Sequence, residues 1–477
     1  MQSKGRAKLF IENFLVYGLG GMISRFIPLI MLPIIAKLYP SPKYIGLNDL
    51  SHTFISFAQA LAVCGMYDSM FRLFFDQKSK DWQKKICSTA FVFVSCMSIV
   101  LSAICFVLRK QIASWYFEDE KYETLVVLTI VGFLISSTNQ IISAPTRIQN
   151  KRKIFLVTNT VSPAIAYLVA IPLILAGHYI IAMPIATAIA GFTLEMSFAA
   201  MNREYFSLKS FGKPELSSLL KIGLPLMPNF LVYWIYNSAD KVMINKILGT
   251  DFTGVYGVAS RIGHISNLIY TAFAGGWLYF AYSTMNDDDQ VQMKSNIFEY
   301  MGAVSFAATA CLMSVSRLGF RIFFDEEYLA AYLISPYLFM APLLLMLYQI
   351  IANQFTIAKK TYMNLLALSV GAAVNVILNY VLIHAIGSEG ASIATVTGYI
   401  VSILMCLFWL RRMKLININK KVYINSAVML AFFLVWRFFC HDNYILSFVS
   451  SAAVIGVFVF MYKDMLLGII RKRRKKK

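Results

Sequence analysis

The chain has 477 residues, of which 58% are hydrophobic and only 14% charged, with a mean hydropathy of +0.64 and a formal net charge of +20. A soluble interior cannot absorb that much apolar surface, so the chain reads as an integral, multi-pass membrane protein. The positive excess sits in short connectors and in the tail Arg471-Lys472-Arg473-Arg474-Lys475-Lys476-Lys477, a pattern that reads as membrane topology and argues against nucleic acid as a partner.

Taken in chain order, apolar runs of roughly 20 residues recur from end to end, each long enough to cross a hydrocarbon core of about 30 Å. The basic start Lys4, Arg6 and Lys8 leads into an uncleaved first helix rather than a signal peptide, because its apolar run continues too far and lacks a small-residue cleavage site. Spans are expected near 12–36, 47–71, 86–108, 122–144, 154–176 and 179–201. A second set follows near 219–248, 252–283, 296–319, 331–357, 361–386 and 388–411. An extra pair near 422–440 and 444–467 brings the expectation to about 14 transmembrane helices in an all-α integral membrane fold.

Positive residues flanking spans stay preferentially in the cytoplasm, and with a cytoplasmic N-terminus about 32 of the 44 Lys and Arg fall on that side. The C-terminus is then cytoplasmic as well. A shift of about 208 residues aligns Ile185-Ala186-Thr187 with Ile393-Ala394-Thr395 and Lys151-Arg152 with Lys359-Lys360. The common offset predicts two pseudo-symmetric six-helix lobes, 1–209 and 210–415, around a central cavity, with the two extra helices and the basic tail in 416–477. Six is even, so both lobes enter from the same side and the repeat is parallel.

Neither a phosphate-binding GxxxxGK[ST] loop nor a nucleophile elbow occurs, and the five histidines have no metal-ligand spacing. No enzyme activity, cofactor or metal is expected, and the seven scattered cysteines read as free thiols. The informative residues are charges within spans, which are expensive in a membrane and so face a cavity or a partner. Arg25 lies near the middle of the first span; Arg261 lies in the eighth, with His264 one turn on. A planar guanidinium can bond two phosphate oxygens at once, so these residues are candidate diphosphate ligands, or else each pairs structurally within its lobe. Glu195 and Asp240 are candidate ion-coupling carboxylates for H⁺ or Na⁺, with simple pairing to nearby cations as the other reading. Asp68 and Arg72 have the spacing of an ordinary helix pair. Asn375 and Asn379, four apart on one helix face, either line the cavity or hydrogen-bond a neighbouring helix. Pro28, Pro33, Pro225 and Pro228 remove backbone hydrogen bonds inside the spans that open each lobe, leaving kinks that either bend during transport or stay static.

Several stretches resemble the polysaccharide flippases of the multidrug/oligosaccharidyl-lipid/polysaccharide exporter superfamily. They are Arg25 with Pro28 to Pro33, Leu38-Tyr39-Pro40 through Tyr44-Ile45-Gly46, Gly223-Leu224-Pro225-Leu226-Met227-Pro228, Ser238-Ala239-Asp240-Lys241, and Gly249 through Gly254-Val255-Tyr256. The resemblance implies a transporter of the bacterial inner (cytoplasmic) membrane that flips an undecaprenyl-diphosphate-linked oligosaccharide, an O-antigen or capsule repeat unit of lipopolysaccharide or polysaccharide biosynthesis. Alternating access, coupled to an ion or to the membrane potential, is implied with it. Its partners would be that lipid-linked sugar, membrane lipids, H⁺ or Na⁺, and other polysaccharide-assembly proteins. Where the family usually carries an Asp-Arg pair, this chain has Asp240-Lys241, which keeps the charge and loses the fork. Fourteen spans resemble the lipid II flippase branch, whose extra helices form a groove for the lipid tail; the last pair here takes that role or serves as an anchor. The alternative is a cation-coupled multidrug exporter of the same superfamily, which would favour carboxylates over arginines at its cavity.

Overall fold

The computed structural model describes residues 26–149, 151–463 and 467, and every regular element among them is helical. Among these residues ten helical segments are long and apolar enough to cross a membrane, eleven with one bent pair taken as a single span. Two shorter apolar helices, Phe26–Leu38 and Thr160–Leu175, accompany them. All of the expected spans overlap described helices, the first only from Phe26 onward. The chain is therefore an all-helical, multi-pass membrane protein. It divides into two compact units, Met1–Gly257 and Val258–Lys477.

In the first unit, α1 (Phe26–Leu38) is followed by α2 (Lys43–Val63) and α3 (Met66–Leu73), which meet at a 46° bend. The bend sits at Cys64 and Gly65, both in the left-handed region with φ of 48° and 72°. Gly65 is needed there twice over, because a Cβ would also stand 2.5 Å from the Gly223 carbonyl oxygen. The unit continues through α4 (Lys80–Val107), α5 (Arg109–Tyr116), α6 (Glu123–Ile142), α7 (Ala144–Ile148), α8 (Arg152–Leu175), α9 (Ala182–Met201), α10 (Lys213–Trp234) and α11 (Asp240–Leu248) to the first part of α12 (Thr250–Gly263), whose remainder from Val258 belongs to the second unit. Pro225 and Pro228 lie inside α10, and a π-helical turn, Ile235–Ala239, joins it to α11.

Two of the sequence stretches quoted above pack on one another. A Cβ on Gly46 would lie 2.2 Å from the Thr250 carbonyl oxygen, and one on Gly254 would lie 1.9 Å from that of Pro42. Small residues let backbones of membrane helices approach this closely. Asp251 fastens the same contact, accepting from Ser41 Oγ at 2.6 Å and from the Lys43 amide at 3.1 Å. Apolar packing around Met66, Met70, Ile86, Ala90 and Leu219 holds α3, α4 and α10 together.

The second unit comprises α13 (Asn267–Ser283), α14 (Gln290–Phe323), α15 (Ala331–Ile357), α16 (Thr361–Ile386), α17 (Ser388–Arg412), α18 (Lys420–Val435) and α19 (Tyr444–Met461), with a second π-helical turn at Trp436–Cys440. α15 is its centre: 89% of its apolar window is buried, and α14, α17 and α13 pack around it. α18 and α19 form a hairpin laid against α14. Asn443 starts α19 by accepting from the Ile445 and Leu446 amides at 3.0 and 3.1 Å, satisfying two donors that a helix N-terminus leaves open.

Candidate substrate and coupling sites

In the first unit two of the buried carboxylates, Asp49 and Asp240, come together where α10 breaks. Asp240 opens α11 directly after the π-helical turn, a deformation that recurs at functional positions in helices. Its carboxylate accepts from the Lys241 amide at 2.8 Å and from the Tyr256 hydroxyl. The Lys241 ammonium reaches across to Asp49 Oδ2 on α2 at 3.7 Å. Asp49, Asp240 and Tyr256 are all buried, and the neighbouring Asn48 Oδ1 has no partner among the described residues. α11 is held in place by Asn245, which donates to the Tyr116 carbonyl at 3.1 Å and accepts from Thr250 at 3.0 Å. Low dielectric strengthens such a network and makes each partner costly to remove.

Glu195 lies elsewhere in this unit, buried on α9 and facing the Thr138 hydroxyl of α6. Close by along α6, Ser136 donates to Gln59 Oε1 at 2.9 Å, and Gln59 donates to Gln140 Oε1 at 2.8 Å. Glu195 and Asp240 thus face different helices. Arg25 lies outside the described residues.

In the second unit, Arg261 and His264 occupy the end of α12 and the 3₁₀ turn after it, both half-buried, with Ser260 Oγ 3.2 Å from His264 Nδ1. Gly263 between them permits a close approach to α15, since a Cβ there would meet Leu338 Cβ at 2.7 Å. Asn375 and Asn379 are buried on α16 and share one network: Asn379 donates to Asn375 Oδ1 at 3.3 Å, and Asn375 donates to Thr395 on α17 at 3.1 Å. Asn379 Oδ1 has no partner among the described residues.

Several buried charges had no place in the sequence expectations. Asp49 is one. Glu389, in the first turn of α17, takes two hydrogen bonds from Arg437, Nε to Oε1 at 2.6 Å and Nη2 to Oε2 at 2.9 Å. Arg437 stands in the π-helical turn that ends α18. A cleft of about 540 Å³ runs between α14, α15, α17 and α18, with this pair at one end and Glu299 of α14 near the other. Among the described residues, no group of three or more His, Cys, Asp or Glu side chains is placed to hold a metal ion.

The profile of a family described as polysaccharide biosynthesis protein matches residues 34–333. No curated protein matches the chain in a sequence search. Among solved structures, the lipid II flippase MurJ in an inward closed conformation is similar at a TM-score of 0.74 and 16% identity, over 95% of this chain and all of that one. An inward-facing multidrug resistance MATE family transporter of the MOP superfamily is similar at 0.68 and 14% identity, over 83% of this chain and 98% of the other. An outward-facing member of that transporter family is similar at 0.55 and 15% identity, over 85% and 95%. At these identities the likeness describes the fold alone, an all-helical membrane architecture.

Proposed function

Because the chain belongs to the polysaccharide biosynthesis protein family, we propose that it flips an undecaprenyl-diphosphate-linked oligosaccharide repeat unit from the inner to the outer leaflet of a bacterial inner membrane, with both termini cytoplasmic. Family membership over residues 34–333 carries the reading, and the transporter fold supports it. Arg261 and His264 are the described candidates for the diphosphate, and Arg25 is a further one; the two arginines offer planar forks suited to phosphate oxygens. Asn375 and Asn379 supply polar groups within the membrane, and Glu195 and Asp240 are the candidates for coupling to H⁺ or Na⁺. The three-part division 1–209, 210–415 and 416–477 belongs to the same proposal.

A second reading, a cation-coupled multidrug exporter, draws on the likeness to multidrug transporters and on the buried carboxylates Asp49 and Asp240. Liposome reconstitution separates the two. Protein-dependent transbilayer movement of an undecaprenyl-diphosphate-linked sugar is expected, reduced about tenfold or more by Arg261→Ala and by Arg25→Ala, and partly retained in the Lys variants. Efflux of a cationic dye under a proton or sodium gradient, with no movement of the lipid-linked sugar, overturns the flippase reading in favour of the exporter.

A further inference from the structure

α18 is tethered to α17 at both of its ends and stands away from it between them. At its start the Tyr423 hydroxyl accepts from Arg411 Nη1 at 3.0 Å; at its finish Arg437 grips Glu389. The cleft of about 540 Å³ lies between these tethers, walled by Leu344, Val396, Ile400, Leu404, Met429 and Phe433. From Val422 to Phe438 α18 and the π-helical turn after it line the cleft over about 24 Å at 1.5 Å per residue, close to the apolar depth of one membrane. The volume falls in the range of pockets that take a small-molecule ligand.

The two ends of the cleft differ in charge. At the Arg437 end the cation is satisfied by two hydrogen bonds. At the other end two acceptors face the cleft. Glu299 is 5% exposed and has no cationic partner among the described residues. Asn425 is 2% exposed and its Oδ1 has no partner among the described residues; its amide nitrogen donates to Tyr462 at 2.7 Å, and that hydroxyl donates on to Glu299. Lys421 does not neutralise the group, because its ammonium bonds the Met461 carbonyl at 3.2 Å. Glu299 thus has the Tyr462 hydroxyl as a neutral donor but no counter-charge among the described residues, and a buried carboxylate without a counter-charge beside a buried carbonyl oxygen without a donor is costly; both are satisfied by one group that carries a positive charge and several N–H bonds. Beyond them, Arg411, Arg412 and Lys420 lie exposed at the same end, where an adjoining phosphate would sit.

We propose that this cleft holds an aminophospholipid of the surrounding leaflet, phosphatidylethanolamine, with its primary ammonium on Glu299 and Asn425 Oδ1, its phosphate toward the basic rim, and an acyl chain along α18. The chain itself gives little preference, because the bilayer is as apolar as the cleft. Selection therefore rests on the ammonium. Phosphatidylcholine carries the charge without N–H donors, and phosphatidylglycerol lacks the cation.

The full-length protein would be placed in nanodiscs containing equal amounts of the three lipids with identical chains, then stripped with mild detergent, and the retained lipid identified by native mass spectrometry. Wild type is expected to retain phosphatidylethanolamine over either competitor by about tenfold or more. Glu299→Gln should remove most of that preference and Asn425→Leu part of it, while Ile400→Trp, which fills the cleft, should reduce retention of all three. Melting curves on each variant identify any that fail to fold, and the three substitutions are independent enough that one misfolded variant leaves the others decisive. Equal retention of the ethanolamine and choline lipids by wild type would overturn the proposal, as would a preference unchanged in Glu299→Gln. Complete displacement of the bound lipid by an equimolar polyprenyl monophosphate, in wild type and Glu299→Gln alike, would assign the cleft to a carrier tail and overturn it too.

Discussion

Breaking the Glu389–Arg437 pair provides a quantitative test of how the α18–α19 hairpin is held. The geometry is the two-pronged arrangement that makes arginine–carboxylate pairs strong, with the Glu389 side chain 10% and the Arg437 side chain 32% exposed. Removing one partner of a fully buried pair costs roughly 3–5 kcal/mol, whereas an exposed pair contributes roughly 0–1 kcal/mol. With one partner buried and the other about a third exposed, Glu389→Gln should cost about 2 kcal/mol, since the amide keeps one hydrogen bond and loses the charge. For a unit the size of Val258–Lys477, each kcal/mol corresponds to roughly 2–4 °C, so the melting temperature should fall by about 4–8 °C. The mechanism is tested by a double-mutant cycle with Arg437→Met, followed by tryptophan fluorescence during unfolding in mixed micelles; buried Trp436 lies next to Arg437 in sequence. Arg437→Met alone strands the Glu389 carboxylate, so the double variant should be more stable than the sum of the single losses by about 2 kcal/mol. Additivity within about 0.5 kcal/mol would refute the idea that the two groups stabilise each other.

Further substitutions test other contacts. Tyr256→Phe removes a donor from the buried Asp240 carboxylate and should destabilise the protein by roughly 1.5–3 kcal/mol, an effect that shrinks when Asp240→Asn is already present; an undiminished loss would show that the hydroxyl acts elsewhere. Gly254→Ala drives a methyl group into the Pro42 carbonyl and should cost about 1–3 kcal/mol, whereas Gly319→Ala, in α14 with open space around it, should gain about 0.5–1 kcal/mol; chemical unfolding that ranks them the other way would discredit the close α2–α12 contact. His441 sits in the turn between α18 and α19, within 2.7 Å of the Tyr332 hydroxyl, and burial holds its pKa below the ordinary 6.5. As pH falls through 6.5 the unfolded chain takes up a proton before the folded one does, so stability is lost on acidification, down to the folded pKa. Melting temperatures measured from pH 7.5 to 5.5 should decline, and His441→Asn should flatten that decline; identical slopes would remove His441 as its source.

Much of the fold was legible because a spanning helix announces itself by length and hydropathy alone. The stretch 86–108 lies almost wholly within α4, and 361–386 coincides with α16. Breaks within spans were less legible. The run 252–283 reads as one apolar stretch, yet the chain forms α12, a 3₁₀ turn at His264–Ser266 and α13. The run 47–71 hides the 46° bend, because nothing local to Cys64-Gly65 discloses that Gly223 will pack against it. The short α5 has too few apolar residues to register as a span. Site residues divide in the same way. Asn375 and Asn379 share a helix face by their spacing, but neither their mutual hydrogen bond nor Thr395 as the next link was legible. Glu389 looked like any acid in a first helical turn, where the helix dipole favours it, and only a partner 48 residues away reveals it as half of an ion pair. Asp49 escaped notice for the same reason, its lysine lying in a helix far along the chain.

That lysine also bears on the one departure from the resembled motif, Lys241 where an arginine is usual. A guanidinium brings five donors in a rigid fork and needs acceptors around it, while an ammonium is a compact charge on a flexible stem. In this corner Asp240 is already occupied by the Lys241 amide and the Tyr256 hydroxyl, leaving Asp49 as the carboxylate that the side chain reaches, at 3.7 Å. A point charge meets that demand. Lys241 thus holds α11 against α2, and in the flippase proposed above the phosphate contacts fall to arginines elsewhere in the chain, with Arg261 as the described candidate.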